Sequence, residues 1–98
     1  MTNKLAPIHP GEVLMEDFIN ELGVTQHKVA VGIGVPPRRI NEIVHGKRAI
    51  TADTALRLGT YFGTSAQFWL NLQTQYDLDV AEDKLGAQLA DIKPLVAV

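Results

Sequence analysis

Ninety-eight residues, 46% of them apolar and 20% charged, suffice for one compact domain with its own core. A mean hydropathy of +0.04 argues against disorder, the longest apolar runs fall far short of the ~18 residues of a membrane span, and the absence of cysteine excludes disulfides and thiolate metal sites. A net charge of −2 and a pI near 5.8 weigh against a nonspecific nucleic-acid coat, and the opening MTNKLAPIHPGE lacks the apolar stretch of a signal peptide, so a cytoplasmic protein is expected.

Residues 1–9 are expected to form an irregular arm, because Pro7 and Pro10 obstruct an early helix. A first helix is expected from Pro10 to about Leu22, with Leu14, Phe18 and Leu22 on one stripe and Gly23 as its stop. Thr25 suits the N-cap of a second helix, whose Val29, Ala30 and Ile33 would point inward. Gly34-Val35 makes a turn, and Pro37 fits the first turn of a third helix, where its missing N–H costs nothing. That helix ends near Gly46.

Thr51 or Asp53 is placed to cap a fourth helix, with Ala55, Leu58 and Phe62 on its inner face and Gly63 closing it. Ser65 can cap a fifth, with Trp69, Leu72 and Tyr76 at i, i+3 and i+7. Beyond Asp77 the pattern weakens: Leu85, Leu89 and Ile92 keep helical spacing, but Gly86 and Pro94 interrupt and the chain ends on apolar LVAV. No segment alternates with period two. The expected fold is therefore all-α, with five helices and a C-terminal helical extension. Its expected units are an arm over 1–9, a helical domain over 10–78 and an acidic, then apolar, extension over 79–98.

Charge is unevenly spread. Residues 26–48 hold Lys28, Arg38, Arg39, Lys47 and Arg48 against Glu42, a balance of +4, whereas residues 77–91 hold Asp77, Asp79, Glu82, Asp83 and Asp91 against Lys84, a balance of −4. Two oppositely charged surfaces on one small domain imply two partners.

The basic segment spans two helices pinched together by a three- or four-residue turn with a glycine, the composition of a helix-turn-helix. Ala30 is small where the helices would cross, Gly34 sits where positive φ is needed, and Val35, Ile40 and Ile43 are apolar where a seam must be buried. On a wheel of ~100° per residue, Ile40, Ile43 and Val44 define the inside of the third helix. The outer side, with Pro37 at its start, collects Arg38, Asn41, Glu42 and His45; Arg suits guanine O6/N7, Asn suits adenine N6/N7, and Glu can accept from cytosine N4. These five are the expected base-reading residues. Gln26, Lys28, Arg39, Lys47 and Arg48 are the expected phosphate contacts.

TQHKVAVGIGVPPRRINEIVHGKRAIT resembles the Cro- and lambda-repressor-type helix-turn-helix, through Gln26, Ala30, Gly34, Ile40 and Gly46. With HPGEVLMEDF at 9–18 and TADTALRLGTYFGTSAQFWLNLQTQYDL at 51–78, the chain resembles the HigA-type (VapI, or plasmid-maintenance antidote) antitoxins over about residues 8–85. The resemblance implies a lambda-repressor-like fold and a homodimer that binds double-stranded operator DNA upstream of its own operon. It also implies neutralisation of a basic HigB/RelE-like mRNA endonuclease. Val29 stands where the family usually has Leu, and Pro36-Pro37 with Arg38-Arg39 fall in the variable positions that set operator choice.

An ordinary solvated helix face is the plain alternative for Arg38, Asn41 and His45, and Glu42 could simply pair with Arg38 at i+4. His9, His27 and His45 fall on three elements without ligand spacing, so neither metal nor cofactor is expected. Glu16-Asp17 and Glu82-Asp83 are adjacent and would point ~100° apart on a helix, so no acid/base couple and no enzyme are expected. Phe68, Trp69, Leu72 and Tyr76 read as core, part of it available to a subunit interface. The rival function is a stand-alone phage-type repressor without a toxin.

Overall fold

The computed structural model describes residues 6–96, and every regular element among them is helical. Part of the expected arm (residues 1–5) and the end of LVAV (residues 97 and 98) lie outside the described residues.

Pro10 opens α1 (Pro10–Val13). His9 caps it: Nδ1 accepts the Gly11 N–H at 2.9 Å, and the Glu12 carboxylate accepts the His9 N–H at 3.3 Å, a reciprocal capping box. The chain runs on without a break into a π-helical stretch, Leu14–Asn20. Its i→i+5 pitch brings Ile19, five residues after Leu14, into the core beside it. The expected stripe therefore fails at its end. Phe18 is half-buried, but Leu22 is 61% exposed in the turn before Gly23, because the widened turn hands the inner position to Ile19.

The next three helices follow the expected punctuation. In α2 (Gln26–Ile33) the Thr25 hydroxyl accepts the Lys28 N–H at 3.0 Å, and Val29, Ala30 and Ile33 are buried. Helix α3 (Pro37–Val44) starts on Pro37 and buries Ile40 and Ile43 completely. Helix α4 (Ala52–Phe62) is capped by Thr51, not Asp53, and packs Ala55 and Leu58 inward.

Helix α5 (Ala66–Leu85) is capped by Ser65, whose hydroxyl accepts the Phe68 N–H at 3.0 Å. It carries the centre of the core. Trp69 is fully buried, and its ring lies 4.9 Å from that of Phe18, 5.1 Å from Phe68 and 6.2 Å from Phe62. Its indole N–H donates to the Thr64 hydroxyl at 2.8 Å, so this large side chain is buried without an unsatisfied donor. The helix continues well past Asp77. At Gly86 (φ +49) the chain breaks and makes one further turn, α6 (Ala87–Ala90). Residues 81–96 are exposed throughout, and the molecule measures 51 × 26 × 20 Å.

Candidate nucleic-acid interface

The turn between α2 and α3 is closed from two sides. Gly34 takes the left-handed conformation at φ +75, which lets Val35 N–H donate to Ala30 C=O at 3.0 Å and Gly34 N–H to Val31 C=O at 3.2 Å, a Schellman closure. Val35 then tucks into the core, and Ala30, with no exposed surface, lies at the crossing. From α4, the Arg57 guanidinium donates to the Ile33 carbonyl at 2.7 Å and the Gly34 carbonyl at 3.4 Å, satisfying acceptors that the end of α2 leaves unpaired.

A second set of contacts seats the far end of α3. A Cβ on Gly11 would stand 1.8 Å from the Ile43 carbonyl oxygen, so only glycine lets α1 pass this close to α3. The His9 ring stacks edge-on against Tyr76, with centroids 4.8 Å apart. Burial lowers the His9 pKa from its usual value, opposed by the nearby charges of Glu12 and Asp77. Gln73 of α5 is buried; its Oε1 accepts the Ile50 N–H at 2.8 Å, and its Nε2 donates to the Asp77 carboxylate at 2.9 Å. Gln73 and Arg57 were not among the expected residues. For Gln73 a signal existed: it falls one turn after Trp69, a polar residue at a core position.

The outward side of α3 carries what the wheel placed there. Pro37, Arg38, Asn41 and His45 are exposed. Asn41 Nδ2 reaches Gln26 Oε1 at 3.4 Å, joining the outward side of α3 to the start of α2. His45 Nδ1 lies 2.7 Å from the Asn41 carbonyl. A carbonyl only accepts, so Nδ1 carries the proton and the ring is tied to the end of its own helix.

Glu42 is flanked by two arginines, with Arg38 Nε 3.0 Å from one carboxylate oxygen and Arg48 Nε 2.8 Å from the other. The hydrogen bonds from Arg48, then Arg38, hold the Glu42 carboxyl below its usual pKa. Arg39 pairs with Asp53 at 3.1 Å, and Asp53 also accepts from Arg57 at 2.8 Å, which is the main reason its carboxyl titrates below the usual range. Lys28 and Lys47 are exposed and pair with no acidic group among the described residues. Of the ten expected residues, Asn41 thus meets Gln26, Glu42 joins Arg38 to Arg48, and Arg39 turns to Asp53.

Among the described residues no three His, Cys, Asp or Glu side chains are grouped to hold a metal ion, and no helix is long and apolar enough to cross a membrane.

The family model for the helix-turn-helix matches residues 15–69, from the π-helical stretch through Trp69. The chain belongs to the helix-turn-helix family. It is 55% identical over 80 residues to virulence-associated protein I of Dichelobacter nodosus, covering 82% of this chain and 74% of that protein. Antitoxin HigA-1 of Vibrio cholerae is 29% identical over 92 residues, covering 94% and 87% of the two chains. The solved structure of the Pseudomonas aeruginosa antitoxin HigA with the higBA promoter superposes with a TM-score of 0.86 at 45% identity, covering 92% of this chain and 99% of that one. The expected HigA- and VapI-type kinship and the all-helical, lambda-repressor-like fold are borne out.

Proposed function

We propose that this helix-turn-helix protein is a cytoplasmic antitoxin repressor that binds its own operator as a homodimer and neutralises a basic HigB/RelE-like toxin. One observation carries the DNA half: an exposed, basic α3 face on a fold 45% identical to a protein solved with its promoter. Helix α3 enters the major groove with Pro37, Arg38, Asn41 and His45 toward base edges, Glu42 standing among them. Gln26, Lys28, Arg39, Lys47 and Arg48 lie along the phosphates.

Residues 10–78 form the DNA-binding unit. The extension over 79–98 continues the acidic 77–91 face, whose −4 charge complements a toxin that grips RNA with basic residues. One recognition helix covers only a few base pairs, so operator-level affinity calls for two half-sites about 10–10.5 bp, or a multiple, apart. Exposed Leu78, Leu85, Leu89 and Ile92 supply apolar area for the partner subunit.

Two assays test this reading. The protein should retard DNA from upstream of its own gene in a salt-dependent way, and its co-expression should restore growth to cells making the adjacent basic protein. Retardation without rescue leaves the stand-alone repressor, which the 38% identical Haemophilus influenzae relative, named only as a transcriptional regulator, keeps in view.

A further inference from the structure

Resting on the assignment of α3 as the DNA-facing helix, we infer that Glu42 is a positioning residue. It holds Arg38 and Arg48 together as one donor unit and does not itself read a base. Both of its oxygens are engaged: Arg38 Nε donates to Oε2 at 3.0 Å, and Arg48 Nε and Nη2 each lie 2.8 Å from Oε1. A cytosine N4–H would have to compete with two charged donors for a carboxylate whose side chain is only 25% exposed.

What the carboxylate leaves open matters as much. It engages the Nε of Arg38, whose two Nη groups have no partner among the described residues and whose side chain is 85% exposed. That terminal pair is the fork that recognises guanine O6 and N7. Arg48 comes from the loop six residues further on, so Glu42 ties a phosphate-side cation in the loop to a base-side cation on the helix. The two arginines would otherwise sample many rotamers, and ordering them before contact removes part of the entropic cost of binding.

Both arginines are open to solvent, with side chains 85% and 47% exposed, and ion pairs to such arginines add little to folding stability, so the bridge has no large structural role to explain it. The low pKa of the carboxyl, set by Arg48 and then Arg38, keeps it charged at neutral pH. One negative charge on this face also opposes indiscriminate approach to phosphate. Glu42 would therefore sharpen the preference for operator over random DNA from two directions.

The test uses the full chain with its upstream operator and a scrambled duplex, together with nitrogen-15 spectra of the arginine side chains in the free protein. In the wild type the Nε–H protons of Arg38 and Arg48 should exchange slowly with water, and in Glu42→Ala both should exchange like free arginine. Glu42→Ala should lose on the order of fivefold in operator-over-random preference, the scale of one side chain left to be ordered on binding. Its binding to random DNA should become steeper in salt by about one unit of slope. Glu42→Gln, which keeps one acceptor oxygen, should fall between.

In an Arg38→Ala background, Glu42→Ala should lose less preference than it does in the wild type, because only the charge of Glu42 and its hold on Arg48 remain to be lost. An equal loss in that background would mean that Glu42 reads a base directly, and freely exchanging Nε–H protons in the wild type would remove the bridge; either result overturns the inference. Failure of the parent reading would show separately, as a wild type that does not distinguish its operator, and this role would go with it.

Discussion

Gln73 on α5 accepts the backbone N–H of Ile50 at 2.8 Å, so the end of the loop carrying Lys47 and Arg48 is held by a helix from the centre of the core. Ile50 is 2% exposed and its N–H has no water to turn to. Replacing Gln73 by leucine should cost about 1–3 kcal/mol, the penalty for an unpaired buried donor. At this chain size each kcal/mol lowers the thermal midpoint by about 4–8 °C. Gln73→Glu keeps the acceptor but sets a second carboxylate against Asp77 in a buried position, so it should not restore the lost stability at neutral pH, which thermal denaturation of the two variants will show.

The close approach of α1 to α3 gives a second expectation. Alanine at Gly11 would drive a Cβ into the Ile43 carbonyl, a backbone atom that cannot swing aside. Gly11→Ala should destabilise by at least about 1–3 kcal/mol and, by displacing α3, weaken DNA binding of the protein that remains folded. Gly23→Ala meets open space at φ +68, so its cost of about 1–2 kcal/mol comes from the left-handed backbone alone. Its DNA binding should be unchanged. Denaturation curves paired with binding titrations separate the two.

Most of this architecture is legible in the chain because its signals are local. Thr25, Thr51 and Ser65 cap the helices they precede, Gly34 and Gly63 close helices in the left-handed region, and the spacing of Ile40 and Ile43 orients α3. The exposed arginines follow, since a wheel that places the inside also places the outside. Leu22 was misplaced because hydrophobic spacing assumes an α pitch, and nothing local announces that Leu14–Asn20 widens to a π turn. The pairing of Arg39 with Asp53, Arg57 on the turn carbonyls and Gln73 on Ile50 all join residues more than ten positions apart. Such contacts exist only once the helices have packed, so periodicity cannot show them.

His9 makes stability depend on pH. Its Nδ1 accepts the Gly11 N–H, a bond that protonation would break, and burial already disfavours the imidazolium. Because the folded pKa lies below the unfolded one, the unfolded chain binds the proton first. The stabilisation is therefore present above the ordinary value of 6.5 and is lost as pH falls from there through the depressed folded value. Urea midpoints between pH 7.5 and about 5 should decline, and His9→Asn, which can still cap α1, should flatten that decline. Equal slopes in the two proteins would assign the pH dependence elsewhere.

DNA and toxin are assigned to different surfaces, so their loss should be separable. Arg38→Ala should still rescue cells from the adjacent toxin while failing to repress the operon. Reversing the acidic face, with Asp79→Lys and Asp83→Lys together, should do the opposite. Growth rescue scored beside a promoter reporter checks both, and loss of both functions in either variant would mean that the surfaces overlap.

The claim that the α3 face reads sequence is tested most directly by titrating wild type, Arg38→Ala and Lys47→Ala against operator and random DNA over a range of salt. Arg38→Ala should lose about 1–3 kcal/mol on the operator and much less on random DNA, as expected for a side chain at a base edge. Lys47→Ala should weaken both and flatten the salt dependence by about one unit of slope, as expected for one phosphate contact. If Arg38→Ala weakens operator and random DNA equally while its thermal midpoint matches the wild type, Arg38 is a phosphate clamp and the account of α3 as the reading helix is contradicted at its main residue.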